Sequence, residues 1–452
     1  MYLLGKKLFG TWIGAFAASF LLTFDFMHFT MARLGTADTY VVFFSLLSQL
    51  CFLFYFTNVL KNGWKTSVLP LFFAVVFFAL GFSTKWIVLY GAVGMLMMLA
   101  ALRIKDITKL KDSIVAKYAA FFDHPFLLLL GFIGVAIVIY FATYIPDMLA
   151  KPVGRPILGT YGNGIIDLQG AMFNYHATLT APHDFYSVWW SWPFLVSNHG
   201  WVPLWLWVND LPNAMRSTIS VLGNPAVWWV GFASIIAITI ETLKADEIAR
   251  FLRTRIAKIA SRLRARLTKK PQSNENVQNP QGEFSAENIN QETEAKQHFK
   301  NLVTAALGVL IFTLTAIIAG YYNYRSFYLA LPLYLGMFIA TYGFVAHLKD
   351  QPDSKEVAAV FIMSLFFFSW IPYVFLSRGT FIYHFYVSVP FLCLATAYFI
   401  NKYWNKKLGK VAAVVIFAAV VILFVVFYPV ISGVPAEKSY IENLRWFGSW
   451  YW

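Results

Sequence analysis

Apolar runs almost free of charge recur along the chain near residues 8–24, 38–57, 67–84, 86–102, 125–145, 224–243, 301–320, 327–346, 357–376, 381–400 and 410–430. Each has about the length that crosses a bilayer as a helix, so the pattern predicts an all-α polytopic membrane protein of about eleven spans. The polar connections between runs divide by charge. Lys6 and Lys7, Lys61 and Lys65, Arg103 to Lys117, Lys244 to Lys300 and Lys402 to Lys410 are rich in Lys and Arg, which places them on the cytoplasmic side. The N-terminus is then cytoplasmic and the C-terminus extracytoplasmic. The first run lacks a small-residue cleavage site and reads as a retained span.

Two connections stand apart by length. Residues 146–222 form an extracytoplasmic loop rich in Trp, His, Pro and Gly, and long loops without spans usually carry function. Its Trp201, Trp205 and Trp207 read most simply as an interfacial belt. Residues 244–300 are cytoplasmic and bipartite. From Ile248 to Lys270 there are nine Lys or Arg and no acid, with Ile248, Leu252, Ile256, Ile259, Leu263 and Leu267 at helical spacing, which predicts a basic amphipathic helix on anionic lipid. From Pro271 to about Gln297 the Asn/Gln/Glu-rich sequence predicts a disordered linker. The chain thus reads as an N-terminal membrane unit (1–145), the outer loop (146–222), a transmembrane helix (223–243), the cytoplasmic segment (244–300), a C-terminal membrane unit (301–430) and an outer tail (431–452).

Composition agrees with a membrane protein: 59% of the 452 residues are hydrophobic and 13% charged, with a mean hydropathy of +0.60. The net charge of +14 lies in short loops and the one cytoplasmic segment, a positive-inside distribution that gives no reason to invoke nucleic acid. Cys51 and Cys393 fall inside apolar runs and read as small buried hydrophobes. No phosphate-cradling Gly-rich loop, serine elbow, HExxH or paired-Cys pattern is present, so the sequence suggests neither a metal nor a resident cofactor.

The candidate chemistry gathers at one face. FDFMHFTMARLGTAD (residues 24–38) sets Asp25, His28, Arg33 and Asp38 between two apolar runs, where ionisable groups face protein or water rather than lipid. Two readings of it compete: a turn in which Arg33 pairs with Asp25 or Asp38, or a site. Lys85 and Trp86, the outer loop with His183, Trp190 and Trp192, Tyr321 to Arg325, and SRGTFIYH (residues 377–384) with Arg378, Tyr383 and His384 share that face. Arg33 or Arg378 can hold a phosphate through bidentate hydrogen bonds, and aromatic rings can stack on sugar, a combination suited to a lipid-phosphate-linked sugar. The competing reading of Arg378 is a snorkelling interfacial residue, and of His384 a hydrogen bond between helices.

Six blocks, FDFMHFTMARLGTAD, GFSTKWIVLYGAVG, HDFYSVWWSWPF, LGNPAVWW, SRGTFIYHFYVSVPF and YPVISGVPAEKSYIENLRWFGSWYW, run in order from near the N-terminus to the last residue. In that order they resemble the bacterial protein O-mannosyltransferases, relatives of the dolichyl-phosphate-mannose–protein mannosyltransferases. The resemblance implies a GT-C-type helix bundle that takes mannose from a polyprenyl-phosphate-mannose donor and attaches it, with inversion, to Ser or Thr of secreted proteins. It implies that Arg33, Arg378 and His384 face the donor phosphate and that Asp25, His28, Asp38, Lys85 and Tyr383 support it or position substrate. His183, Trp190 and Trp192 are then expected toward acceptor and sugar. Family members carry an Asp-Glu motif in an outer loop upstream of the first block, and it supplies the catalytic base. No acid precedes Asp25 here, so the base is expected from elsewhere, for example from a separate N-terminal half.

Three other readings remain open on the residues. Another polyprenyl-phosphate-sugar transferase, such as a lipid A aminoarabinose transferase, could share fold and donor. A catalytically silent subunit could bind the donor lipid, as the missing acidic motif suggests. A transporter or flippase should show midplane charges and internal repeats, and the polar residues here lie mostly at one face.

Overall fold

The computed structural model describes residues 1–108, 113, 126–150, 164–179, 183–197, 200–243, 286–321, 327–349, 351–376 and 379–452. The predicted basic helix, Ile248 to Lys270, and the candidate Arg378 lie outside the described residues.

In chain order the helices are α1 (Tyr2–Phe9), α2 (Trp12–Thr23), α3 (Phe26–Arg33), α4 (Asp38–Asn62), α5 (Leu69–Thr84), α6 (Val88–Thr108), α7 (Phe126–Ala142), α8 (Ile145–Ala150), α9 (Ile165–Thr178), α10 (Pro225–Thr242), α11 (Ala286–Tyr321), α12 (Phe327–His347), α13 (Ser354–Trp370), α14 (Val389–Tyr403), α15 (Lys407–Ser432) and α16 (Lys438–Asn443). Among the described residues eight helices are long and apolar enough to cross a membrane, or nine if α2 and α3 count as one span bent by 61°. That is fewer than the eleven predicted. Of the other two predicted runs, α5 (Leu69–Thr84) is an apolar helix of 16 residues, shorter than this length, and the second forms α12. The first predicted run is also broken, because Gly10 adopts a left-handed conformation (φ 71°) that ends α1, and Thr11 caps α2 by accepting from the Gly14 amide.

Position in the bundle follows from how far apolarity extends around each helix. In α13 (SKEVAAVFIMSLFFFSW) and α14 (VPFLCLATAYFINKY) nearly every side chain is buried, so these helices form the centre. Helices α7 and α15 are equally apolar but mostly exposed, as expected of a lipid-facing rim. Helices α11 and α12 form a tight antiparallel pair. A Cβ added at Gly308 would lie 2.2 Å from the Ala340 amide, and one at Gly343 2.3 Å from that of Ala305, so only glycine permits this backbone approach. Ala286 to Gln297, expected within a disordered linker, is helical: the α11 span extends through these residues, and propagating a formed helix costs far less than nucleating one.

The outer loop and the tail, read as separate pieces, form one cap. Strands β1 (Leu204–Leu211) and β2 (Met215–Val221) make an antiparallel hairpin, and β3 (Ala436–Glu437) from the tail pairs with β2 at Met215 and Arg216. The Arg216 guanidinium grips Asp210 with two bonds of 2.5 and 3.1 Å and donates to Glu442 and to the Trp452 carbonyl. The helix end is closed by β2 as well: the Gly433 amide donates to Thr218 O (2.8 Å), and Ser217 Oγ donates to Gly433 O (2.7 Å). Trp205 and Trp207 are therefore strand residues, and Trp201 and Trp205 pack on Tyr451 of the tail rather than standing in a belt. The alternation in LWLWVNDL was masked by its run of large apolar residues.

Replacing Gly308 with Leu should push α11 and α12 apart and destabilise the bundle by at least about 1–3 kcal/mol. The thermal midpoint in detergent would fall; an unchanged midpoint would show that the pair tolerates separation. A second expectation concerns pH. The hydrogen bonds from Arg216 and Lys438 hold the Asp210 carboxyl well below its ordinary range, so its contribution to the cap is present above the usual carboxylate pKa and lost as pH falls through the depressed value. Hydrogen exchange in β1 and β2 should stay slow from neutral to mildly acidic pH and accelerate only in strong acid, whereas Asp210→Asn should be fast throughout.

Candidate functional site

The site begins at the break between α2 and α3. Asp25 has no exposed surface and is the N-cap of α3, its Oδ1 accepting from the His28 amide at 3.0 Å. Its Oδ2 accepts from the Trp228 indole (2.8 Å) and the Asn224 amide (3.2 Å). Asn224 in turn caps α10, accepting from Ala226, and donates its side-chain amide to the carbonyls of Phe24 and Val420, both at 3.0 Å. Pro225 opens α10 at the position where its missing N–H matters least. Gly223 is required because a Cβ there would meet the Trp228 ring at 2.1 Å. This junction carries neither a free carboxylate nor an Arg33 pair. Arg33 instead lies 4.8 Å over the Phe29 ring and donates to Ser432 O (3.2 Å) at the C-terminal end of α15, where a cation complements the helix dipole.

The stretch read either as a turn or as a site is thus mostly the helix α3, which brings His28 to the 3₁₀ turn that carries Tyr386. His28 Nδ1 lies 2.5 Å from the Tyr386 hydroxyl, on the 3₁₀ turn Ile382–Ser388. On the same turn His384 is almost fully buried. Its Nδ1 accepts from the Phe381 amide (3.1 Å), and its ring stacks on Tyr383 at 4.4 Å and lies parallel to Trp192 at 6.2 Å. In this position His384 is packed among aromatic rings.

A cation and a carboxylate complete the cluster. Lys85, at the C-terminal end of α5, is 2.8 Å from Asp38 at the start of α4 and 4.9 Å over the Tyr383 ring. Asp38 therefore pairs with Lys85 and not with Arg33. Both side chains are partly exposed, at 32% for Lys85 and 14% for Asp38, so the pair is reachable. The neighbouring Trp86 indole donates to the Tyr140 hydroxyl, which joins Gln169 of α9. A groove of about 400 Å³ runs between α4, α5, α6 and α7, its apolar lining including Phe52, Leu71, Phe82, Leu89, Leu129 and Tyr140. A larger cleft of about 910 Å³, between α10, α11, α12 and α13, counts Trp189, Trp190 and Trp370 among its lining residues.

The outer-loop candidates separate. Trp190 lines the larger cleft. Trp192 has no exposed surface and donates to Ser187 Oγ at 2.8 Å, so it is a core residue and not a sugar-facing one. His183 is exposed, accepts from the Phe185 amide and meets the Phe381 ring at 4.9 Å. Ser187 and Thr380 tie the loop to the 3₁₀ turn, the Ser187 amide donating to Thr380 O and Thr380 Oγ1 to Ser187 O. Asn224, Trp228, Tyr386, Tyr140 and Gln169 were not among the sequence candidates. An Asn-Pro pair at the start of an apolar run marks an N-cap, and Tyr386 is three residues from Tyr383, one turn of a 3₁₀ helix; both signals were available. Among the described residues no group of His, Cys, Asp or Glu could hold a metal.

A multi-pass helix bundle with a polar cluster and apolar clefts between its helices has the architecture of a GT-C-like membrane protein. The sequence matches the family described as dolichyl-phosphate-mannose-protein mannosyltransferase over residues 1–149, and the C-terminal four TMM region of protein-O-mannosyltransferase over residues 162–265 and 327–450. The chain belongs to the protein O-mannosyltransferase family. No curated protein matches it. Among solved structures, the S. cerevisiae protein O-mannosyltransferase Pmt1–Pmt2 complex bound to the sugar donor is similar at 15% identity and a TM-score of 0.31, over 65% of this chain and 27% of that one. The chain thus spans about a quarter of the length of that relative.

Asp25→Ala would strand three buried N–H donors, each costing about 1–3 kcal/mol when left unsatisfied. A large fall in the detergent thermal midpoint is expected, and Asp25→Asn should recover only part of it because an amide offers one acceptor oxygen. A midpoint unchanged in Asp25→Ala would contradict a structural role.

Proposed function

We propose that this chain is a membrane glycosyltransferase acting at the end of the bundle that carries Lys85, on the extracytoplasmic side, with a polyprenyl-phosphate-mannose donor and Ser or Thr hydroxyls of secreted proteins as acceptors. Family membership supports the reaction class. The observation that carries the donor site is Lys85: a partly exposed ammonium beside an aromatic ring, capping α5, a helix that also lines an apolar groove. A lipid phosphate presents a charged head on an apolar chain, and this arrangement offers both a cation and an apolar channel. Arg378 is expected from the family resemblance to add a second cation, Tyr383 to support the site or position substrate, and His183 to face acceptor and sugar.

In an inverting transfer a carboxylate takes the proton of the acceptor hydroxyl while cations hold the leaving phosphate. Lys85 suits the second role. In this donor-free arrangement neither carboxylate of the cluster suits the first: Asp25 is enclosed by three N–H donors, and Asp38 pairs with Lys85. This supports a second reading, a donor-binding chain that turns over only when another segment or subunit brings the carboxylate.

The test is donor affinity and transfer in purified protein. Lys85→Ala should weaken binding of polyprenyl phosphate about 10- to 100-fold, the equivalent of losing a charge-assisted hydrogen bond of about 1.5–3 kcal/mol, with the thermal midpoint kept. Unchanged affinity would remove Lys85 from the site. Donor binding without transfer to a Thr peptide, with transfer restored by adding an acidic upstream fragment, would establish the second reading.

A further inference from the structure

We propose that the free edge of β1 docks an extended polypeptide, so that the acceptor is held by its main chain and led along an aromatic strip toward Tyr383 and Lys85. This inference rests on the reading of a protein acceptor.

Among the described residues, the eight-residue β1 is paired on one side alone. Its register with β2 runs from Leu204 opposite Val221 to Leu211 opposite Met215, and β2 carries β3 on its other side. Among the described residues no main-chain hydrogen bond from another segment reaches the opposite edge of β1. That edge repeats N–H and C=O groups at intervals of about 7 Å, a pattern that another extended main chain satisfies whatever its side chains, and that a lipid or a sugar does not. Proteins usually blunt such edges with Lys, Pro or a covering segment. LWLWVNDL contains neither residue, and its two most exposed apolar members, Leu206 (41%) and Trp207 (53%), lie at the register shift between Trp205 and Trp207.

The edge is continuous with the candidate site. The Trp205 ring packs at 5.1 Å on Phe185, which meets His183 at 6.1 Å. His183 meets Phe381 at 4.9 Å, and Phe381 stacks parallel to Tyr383 at 5.8 Å, the ring beneath Lys85. A chain added to β1 would have partly exposed rings along its path toward the cation. Main-chain docking also suits acceptors that share a hydroxyl but no fixed sequence.

The experiment uses the full chain in nanodiscs and a fluorescent ten-residue peptide with a single Thr, made in two backbone N-methylated series at alternate residues. Strand addition uses every second amide, so one series should lose about tenfold or more in affinity while the other stays within about twofold. Equal weakening in both series, or none in either, overturns the proposal. A photo-crosslinker at position 207 should capture the peptide, and capture of a second copy of the chain instead would make the edge a self-association surface and likewise overturn it. Mannose transfer is read separately: alternation without transfer from any polyprenyl-phosphate-mannose leaves the docking intact and removes the reaction, whereas transfer without alternation removes the docking alone.

Discussion

A carboxylate buried at a bend in the membrane bundle organises the rest. A helix broken near the membrane leaves amides and carbonyls that lipid cannot satisfy, so such a break persists only where protein groups meet them. Asp25 does this for the 61° break between α2 and α3, and it joins that break to the capped start of α10 through Asn224 and Trp228. Two segments about 200 residues apart in sequence are fixed to each other by one side chain. Three donors around a buried anion also supply the compensation that an unpaired carboxylate in such a place lacks.

The position of the polar cluster follows. With α3 set at that angle, His28 meets Tyr386 and Arg33 reaches the end of α15, so the 3₁₀ turn carrying Tyr383 and His384 is held against α3 and α4. The Asp38–Lys85 pair then ties α4 to the α5–α6 turn. Many of the described polar groups at this end are used in holding segments together, and Lys85 and Asp38 are among those that stay partly exposed. The sheet does comparable work beyond the helices: Arg216 connects the hairpin to the tail, and Thr218 and Ser217 close the end of α15.

Much of the bundle was legible in the sequence because burial in lipid demands long apolar runs, and a run is visible without knowledge of its neighbours. The polar cluster was legible in membership but not in pairing. Asp25, Arg33 and Asp38 sit close in sequence, which invites a local ion pair, yet each finds a partner elsewhere: Trp228, Ser432 and Lys85. Pairing is decided by which helix ends meet, a tertiary fact. Trp192 and the hairpin tryptophans illustrate the same limit, since a tryptophan in a loop carries no sign of whether it faces sugar, lipid or core. The β hairpin was hidden because alternation is weak where both faces carry large apolar residues.

The electrostatics of the cluster bear on how it could work. Lys85 is neutralised by Asp38, and an anionic headgroup arriving at Lys85 must compete with that carboxylate or share the ammonium with it. Because both side chains are partly exposed, the competition takes place in a moderately high dielectric, where an ion pair is weak and exchange of partners costs little. A donor phosphate brings more acceptor oxygens than one carboxylate, and an apolar chain in the groove would add binding that Asp38 cannot match. Displacement would then free Asp38 at the moment the donor is seated, placing a carboxylate beside the bound headgroup. Its like charge would weaken phosphate binding unless a second cation or a proton compensated, so on this argument Lys85 alone does not complete the donor site.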